Sequence, residues 1–144
     1  MARVYISTVM PITLEQAWSV LRDFNGLPTY HPFFATSYIE DGKPADQIGC
    51  VRHFHDHDGN PIREELLSLS DREHLCCYRI LSAPALPVRH YVSEMRLKPV
   101  TTTNQCFGEW WAEFEVDDAD YDDVMQRVAD TFRLAFEGVT QHLS

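Results

Sequence analysis

Three histidines, His53, His55 and His57, alternate along one β-rich segment of the 144-residue chain. At strand spacing they share one face with successive imidazoles roughly 6–7 Å apart, and imidazoles on one strand can share a metal ion. Cys50 and Phe54, however, set the phase of that strand and put the three histidines opposite the core. No carboxylate follows at a spacing that would complete a ligand set. A wet, polar strand face is expected here, with no metal and no cofactor. Arg52 stands on the same segment and Glu64 on the next, so an ion pair across the Asp58-Gly59 turn is within reach. The four cysteines, Cys50, Cys76, Cys77 and Cys106, show no CxxC spacing, and adjacent cysteines rarely bridge each other. They read as reduced thiols and small core hydrophobes, not nucleophiles. No Gly-rich phosphate loop, G-x-S-x-G elbow or H-E-x-x-H appears. Asp117 to Asp123 lacks the spaced acceptors and glycine of a calcium loop.

The elements that must position these residues are legible from periodicity. From Tyr121 to Leu143 the apolar residues Tyr121, Val124, Met125, Val128, Phe132, Ala135, Phe136, Val139 and Leu143 recur at helical intervals, so one stripe of a long helix faces a core. Asp117, Asp118 and Asp120 suit its N-terminal end. Gly138 is its one breaker, at a cost of about 1 kcal/mol relative to alanine. Near the other end, Arg3–Val9 is β-rich. Thr13 and Gln16 then have capping-box spacing, and Leu14, Ala17, Trp18 and Leu21 follow as a first helix that ends near Phe24. Thr29 to Pro32 suits a further helical turn.

Strands are expected at Phe34–Asp41, Ile48–His57, Ile62–Ser70, His74–Ser82, Val88–Lys98 and Gln105–Val116, separated by short turn-rich breaks. Such short links pair consecutive strands as antiparallel neighbours. Alternation puts Tyr78, then Tyr91, Ser93, Met95 and Leu97, then Trp110, Ala112 and Phe114 on one dry face. The predicted class is α+β: a curved antiparallel sheet of about seven strands wrapped around the C-terminal helix, with two short helices after strand 1.

At this length the chain is expected to be one domain spanning residues 1–144. A net charge of −10 disfavours nucleic acid and anionic membrane surfaces as partners. No run approaches a membrane span or a signal peptide. A cytoplasmic protein, monomeric or homodimeric, is expected.

The run Ala17-Trp18-Ser19-Val20-Leu21-Arg22-Asp23-Phe24, followed by Thr29-Tyr30-His31-Pro32-Phe33, resembles the opening of the START-like (SRPBCC) superfamily. That superfamily includes the birch-pollen-allergen-like and polyketide cyclase/dehydrase families. Gly49-Cys50-Val51-Arg52, Asp58-Gly59, Glu64 to Leu67, Tyr78-Arg79-Ile80 and Leu86-Pro87-Val88-Arg89-His90-Tyr91 fit its successive strands and loops. The order of motifs is also similar to the plant abscisic-acid receptors. The resemblance implies a helix-grip fold with an elongated pocket between sheet and long helix, where relatives bind lipids, hormones or polyketides.

It also implies site residues. In the receptor-like relatives the position matching His31 is a lysine that meets a ligand carboxylate, and those matching Glu64 and Tyr91 give polar contacts. Histidine in place of lysine weakens anion recognition and opens acid–base chemistry. Each has a plainer alternative: a loop histidine without a ligand, the Arg52–Glu64 ion pair, and a core tyrosine. Strand phase and resemblance together nominate His31, Phe33, Phe54, Glu64, Tyr78, Tyr91, Trp110, Phe132 and Phe136 for ligand contact, with Cys76 and Cys106 as further candidates for the pocket wall. The loops His57–Pro61 and Ala83–Arg89 would lid the pocket. Two functions follow as expectations. One is a carrier or sensor for a small hydrophobic or amphipathic ligand. The other is a cofactor-free polyketide cyclase/dehydratase-type enzyme using His31, Glu64 and Tyr91.

Overall fold

A computed structural model describes residues Met1–Ser144. Its elements run β1 (Ala2–Met10), α1 (Leu14–Leu21), α2 (Leu27–Tyr30), β2 (Phe34–Ile39), β3 (Val51–Asp56), β4 (Pro61–Ser70), β5 (Leu75–Ser82), β6 (Arg89–Val100), β7 (Gln105–Glu115) and α3 (Tyr121–His142). The capping box forms as its spacing predicts. Thr13 Oγ1 accepts from the Gln16 amide at 3.1 Å, and Gln16 Oε1 accepts from the Thr13 amide at 3.0 Å.

The seven strands form one antiparallel sheet in the order β1-β7-β6-β5-β4-β3-β2. From β2 to β7 each strand pairs with its successor, as short turns require. Only β1 and β2 separate to opposite edges, and α1 and α2 carry the chain between them. Register shifts interrupt β2, β4 and β6. Such irregularities bend a strand and increase its twist, which lets the sheet curve around α3.

The concave face is the dry one. Tyr78, Tyr91, Ser93, Met95, Leu97, Trp110, Ala112 and Phe114 are all buried there, against Val124, Val128, Phe132, Ala135, Phe136 and Val139 of α3. Two glycines set how closely the layers approach. A β-carbon on Gly108 of β7 would lie 2.6 Å from the Phe136 ring, so the glycine seats that ring against the sheet. A β-carbon on Gly138 would strike the carbonyl oxygen of Tyr30 at the end of α2. The helix breaker of the sequence is therefore a packing requirement. The apolar stripe is shorter than its periodicity implies, since Tyr121 is 43% exposed.

Three strand ends differ from expectation by two residues or more. Regular β3 begins at Val51 rather than Ile48, although Gly49 donates to Leu66 and Leu66 to Cys50 (2.8 and 2.9 Å). Gly49 at φ 90 kinks the chain there, and Ile48 stays exposed. β2 stops at Ile39 because Glu40–Gly42 forms a 3-10 turn with Asp41 at φ 59. β6 continues through Pro99 to Val100; pairing to β5 has ended at Arg96, so a residue without an N–H is tolerated. No helix is long and apolar enough to cross a membrane.

Candidate functional site

Sheet and α3 do not close completely on each other. Toward α2 and the β3–β4 and β5–β6 loops they leave a cavity of about 460 Å³, with 15 hydrophobic residues among its 26 lining residues. Phe54, Ile62, Tyr78, Ile80, Tyr91 and Trp110 come from successive strands, and Val128, Phe132 and Ala135 from α3. His31, Pro32, Phe33 and Phe34 close one side. Both expected lid loops are at the mouth, represented by Asp58 and Asn60 and by Ala83, Ala85 and Leu86. His57 Nε2 donates to the Pro32 carbonyl at 2.9 Å, and Arg127 Nη1 to the Ala85 carbonyl at 3.0 Å. Each loop is thus tied across the opening.

Arg52 and Glu64 are direct partners across β3 and β4, and both are buried. Arg52 Nε and Nη2 lie 2.8 and 2.7 Å from Glu64 Oε1, while Nη1 donates to the Phe24 carbonyl at 3.2 Å. The guanidinium also sits over the rings of Phe24 (4.1 Å) and Tyr78 (4.6 Å). Burial raises the Glu64 carboxyl above the ordinary range, with Arg52 opposing the rise. For Arg52, burial is the largest influence and works against the charge, but Glu64 together with Tyr78, Cys76 and Tyr30 outweighs it, and the guanidinium stays protonated.

His31 is 2% exposed and has both ring nitrogens engaged. Nε2 donates to the Thr131 carbonyl of α3 at 2.8 Å, and Nδ1 accepts from the Phe33 amide at 3.1 Å. Burial lowers its pKa to about 4, so the ring is the neutral Nε2–H tautomer. Deeper in, Trp110 Nε1–H is shared between the Tyr78 hydroxyl and Ser93 Oγ, each at 3.0 Å. Ser93 in turn donates to the Trp111 carbonyl at 2.9 Å. Trp110 stacks on Phe132 at 5.3 Å, which couples β7 to α3. Burial raises the Tyr78 and Tyr91 hydroxyls far above the usual phenol value.

Residues 1–143 match the family model described as polyketide cyclase / dehydrase and lipid transport. The chain belongs to this polyketide cyclase/dehydrase and lipid transport family. Among solved structures, the protein XoxI from Bacillus cereus is 27% identical with a TM-score of 0.86, over 98% of this chain and 94% of that one. A putative uncharacterized protein from Bacillus thuringiensis is 26% identical with a TM-score of 0.86, over 99% and 100% of the two chains. A protein from Nitrosospira multiformis, at 20% identity and a TM-score of 0.86 over 99% and 97%, is alike in fold alone. No curated protein matches.

In this member of the family, His31, Phe33, Phe54, Glu64, Tyr78, Tyr91, Trp110 and Phe132 are brought together on the cavity wall. Phe136 is not on it; its ring is held against Gly108 and edge-on to Trp110. Cys76 and Cys106 are also off the wall. They are buried in the core, with thiols pushed up by burial to about 12 and about 11. Arg52, expected only as a partner for Glu64, is on the wall as well. Its alternation with Phe54 on the core-facing phase of β3 was the available signal.

The three alternating histidines separate, His57 falling just beyond the end of β3. His53 and His55 stack at 5.1 Å on the outer face, and His53 Nδ1 lies 2.9 Å from the Tyr38 hydroxyl and 3.3 Å from Glu40. His57 turns to the cavity mouth. No group of three or more His, Cys, Asp or Glu side chains is placed to hold a metal ion.

Proposed function

We propose that this chain binds a small hydrophobic or amphipathic molecule in the cavity between sheet and α3, as a carrier or sensor. The observation that carries the reading is the cavity itself. It has the size and the mainly apolar wall of a ligand site, in a fold whose α3 packs tightly elsewhere. Its few polar groups converge at the inner end, where Arg52, Glu64, Tyr78 and Tyr91 meet. Family membership points the same way, since lipid transport is part of the family's description.

The cyclase or dehydratase reading asks His31, Glu64 and Tyr91 to move protons on a substrate. His31 offers neither ring nitrogen, Glu64 is tied through Oε1 to Arg52 as its charge partner, and Tyr91 is a far weaker acid than a free phenol. Binding is therefore the better-supported reading.

Native mass spectrometry of purified protein, followed by thermal unfolding with and without the released compound, tests it. A ligand of the folded state raises the melting temperature with concentration. The reading fails if no small molecule is retained and none of a panel of hydrophobic compounds shifts the transition. A retained compound that is chemically converted on incubation would favour the enzyme.

A further inference from the structure

The cavity wall carries two arginines, Arg52 and Arg127, against four carboxylates, Asp56, Asp58, Glu64 and Asp130. Arg52, the cation beside Glu64, is not available to a ligand anion, and Arg127 stands at the mouth with its side chain about half in solvent. Arg52 is committed to Glu64 and to the Phe24 carbonyl. Arg127 donates to the Ala85 carbonyl at 3.0 Å and lies 3.7 Å from Asp123. His31 is uncharged, and both its nitrogens are bonded to backbone. A carboxylate drawn in as far as Glu64 would lose its hydration with no free cation beside it. The chain's net charge of −10 adds repulsion on approach.

Hydrogen-bonding capacity, by contrast, is left over. Both contacts from Arg52 fall on Glu64 Oε1, and Oε2 has no hydrogen-bond partner in the protein. The Tyr78 hydroxyl accepts from Trp110, and its own proton has no well-formed acceptor. The Tyr91 hydroxyl lies beside Ser93, whose own proton is given to the Trp111 carbonyl. These three side chains are only 6%, 4% and 5% exposed, yet neither Glu64 Oε2 nor the Tyr91 hydroxyl is sealed in the core, so what they offer opens onto the cavity they line. Buried acceptors and donors of this kind discriminate strongly in favour of a ligand that completes them. An ammonium head fits less well, because it would share one carboxylate with a guanidinium already in place.

We infer that the cavity selects an uncharged molecule with an apolar body and a hydroxyl head, which donates to Glu64 Oε2 and accepts from Tyr78 and Tyr91, and that it rejects carboxylates. This rests on the ligand-binding reading of the cavity and specifies what that ligand is.

Matched probes separate the two claims. Calorimetric titration of the intact protein at neutral pH with decanol, decanoate and decylammonium, and with naphthol and naphthoate, compares heads on a constant body. The alcohols should bind at least about tenfold tighter than the matched ions. If decanoate or decylammonium equals or exceeds decanol, the selectivity is wrong while the binding function stands. If no probe of either series binds, the binding reading falls and this inference with it. Glu64→Gln leaves Arg52 without its counter-ion and should turn the preference toward decanoate; an unchanged preference in folded Glu64→Gln protein overturns the inference. Tyr91→Phe, which removes only the hydroxyl, should weaken alcohol binding by about three- to tenfold. Unchanged decanol and naphthol affinity in that variant would likewise overturn it.

Discussion

The carbonyl oxygen of Tyr30 occupies the place where Gly138 would carry a side chain. This contact docks the end of α2 onto α3 one turn beyond Ala135, and Ala135 lines the cavity. The same stretch of chain continues directly into His31, whose imidazole bonds the Thr131 carbonyl of α3. Backbone fit and one buried histidine together fasten the α2–β2 segment over the cavity.

Two effects compete when Gly138 is changed to alanine. Helix propensity favours alanine by about 1 kcal/mol. The added methyl meets rigid backbone, and overpacking of that kind costs roughly 1–3 kcal/mol or more. Gly138→Ala should therefore destabilise the protein in chemical denaturation. A rise in stability would show that α2 does not press on α3 at this point.

The Arg52–Glu64 pair supplies a second prediction. Glu64→Gln leaves a buried guanidinium without a counter-charge and should cost about 3–5 kcal/mol. Replacing both residues, as in Arg52→Met with Glu64→Leu, removes the uncompensated charge and should recover most of that loss. A double variant as unstable as Glu64→Gln would mean that the pair does more than neutralise itself. Denaturant midpoints of the three proteins decide the point.

His31 imposes a pH dependence with a definite sign. Burial lowers its pKa from 6.5 to about 4, with the charge of Arg52 adding to the fall and the Thr131 bond opposing it. As pH falls, the unfolded chain therefore takes up this proton before the folded one does. The stabilisation from neutral His31 is whole above about pH 6.5 and is lost as pH drops toward 4, by about 3 kcal/mol in all. Stability should decline across that window by this much more in the wild type than in His31→Gln. Parallel declines would mean that His31 takes up its proton in the folded state as readily as in the unfolded one.

Phe132 is 1% exposed and stacked on Trp110. Phe132→Ala should cost about 3–5 kcal/mol and enlarge the cavity. Because the indole loses its stacking partner, Trp110 fluorescence should shift in the folded state as well. A loss below about 0.5 kcal/mol would show that α3 does not depend on this face.

Local periodicity determined a good deal by itself. The alternation of Tyr91, Ser93, Met95 and Leu97 identified the dry face of β6, and the recurrence of Val124, Val128, Phe132 and Val139 identified the buried face of α3. Thr13 and Gln16 announced the start of α1. These signals are readable because burial acts on side chains at the fixed periods of strand and helix. Tertiary structure alone decided what periodicity cannot encode. The stripe of α3 does not reveal that Phe132 borders a cavity whereas Phe136, one turn on, is consumed by Gly108. Nor does the spacing of Arg52 and Glu64 say whether their charges cancel or serve a ligand, because that depends on how many hydrogen bonds each atom has left. His31 looked chemically free in the sequence. It became a neutral strut only when α3, a hundred residues away along the chain, brought the Thr131 carbonyl to its ring. Contacts between distant segments settle the protonation, charge balance and open volume of a site, and those are the properties from which function follows.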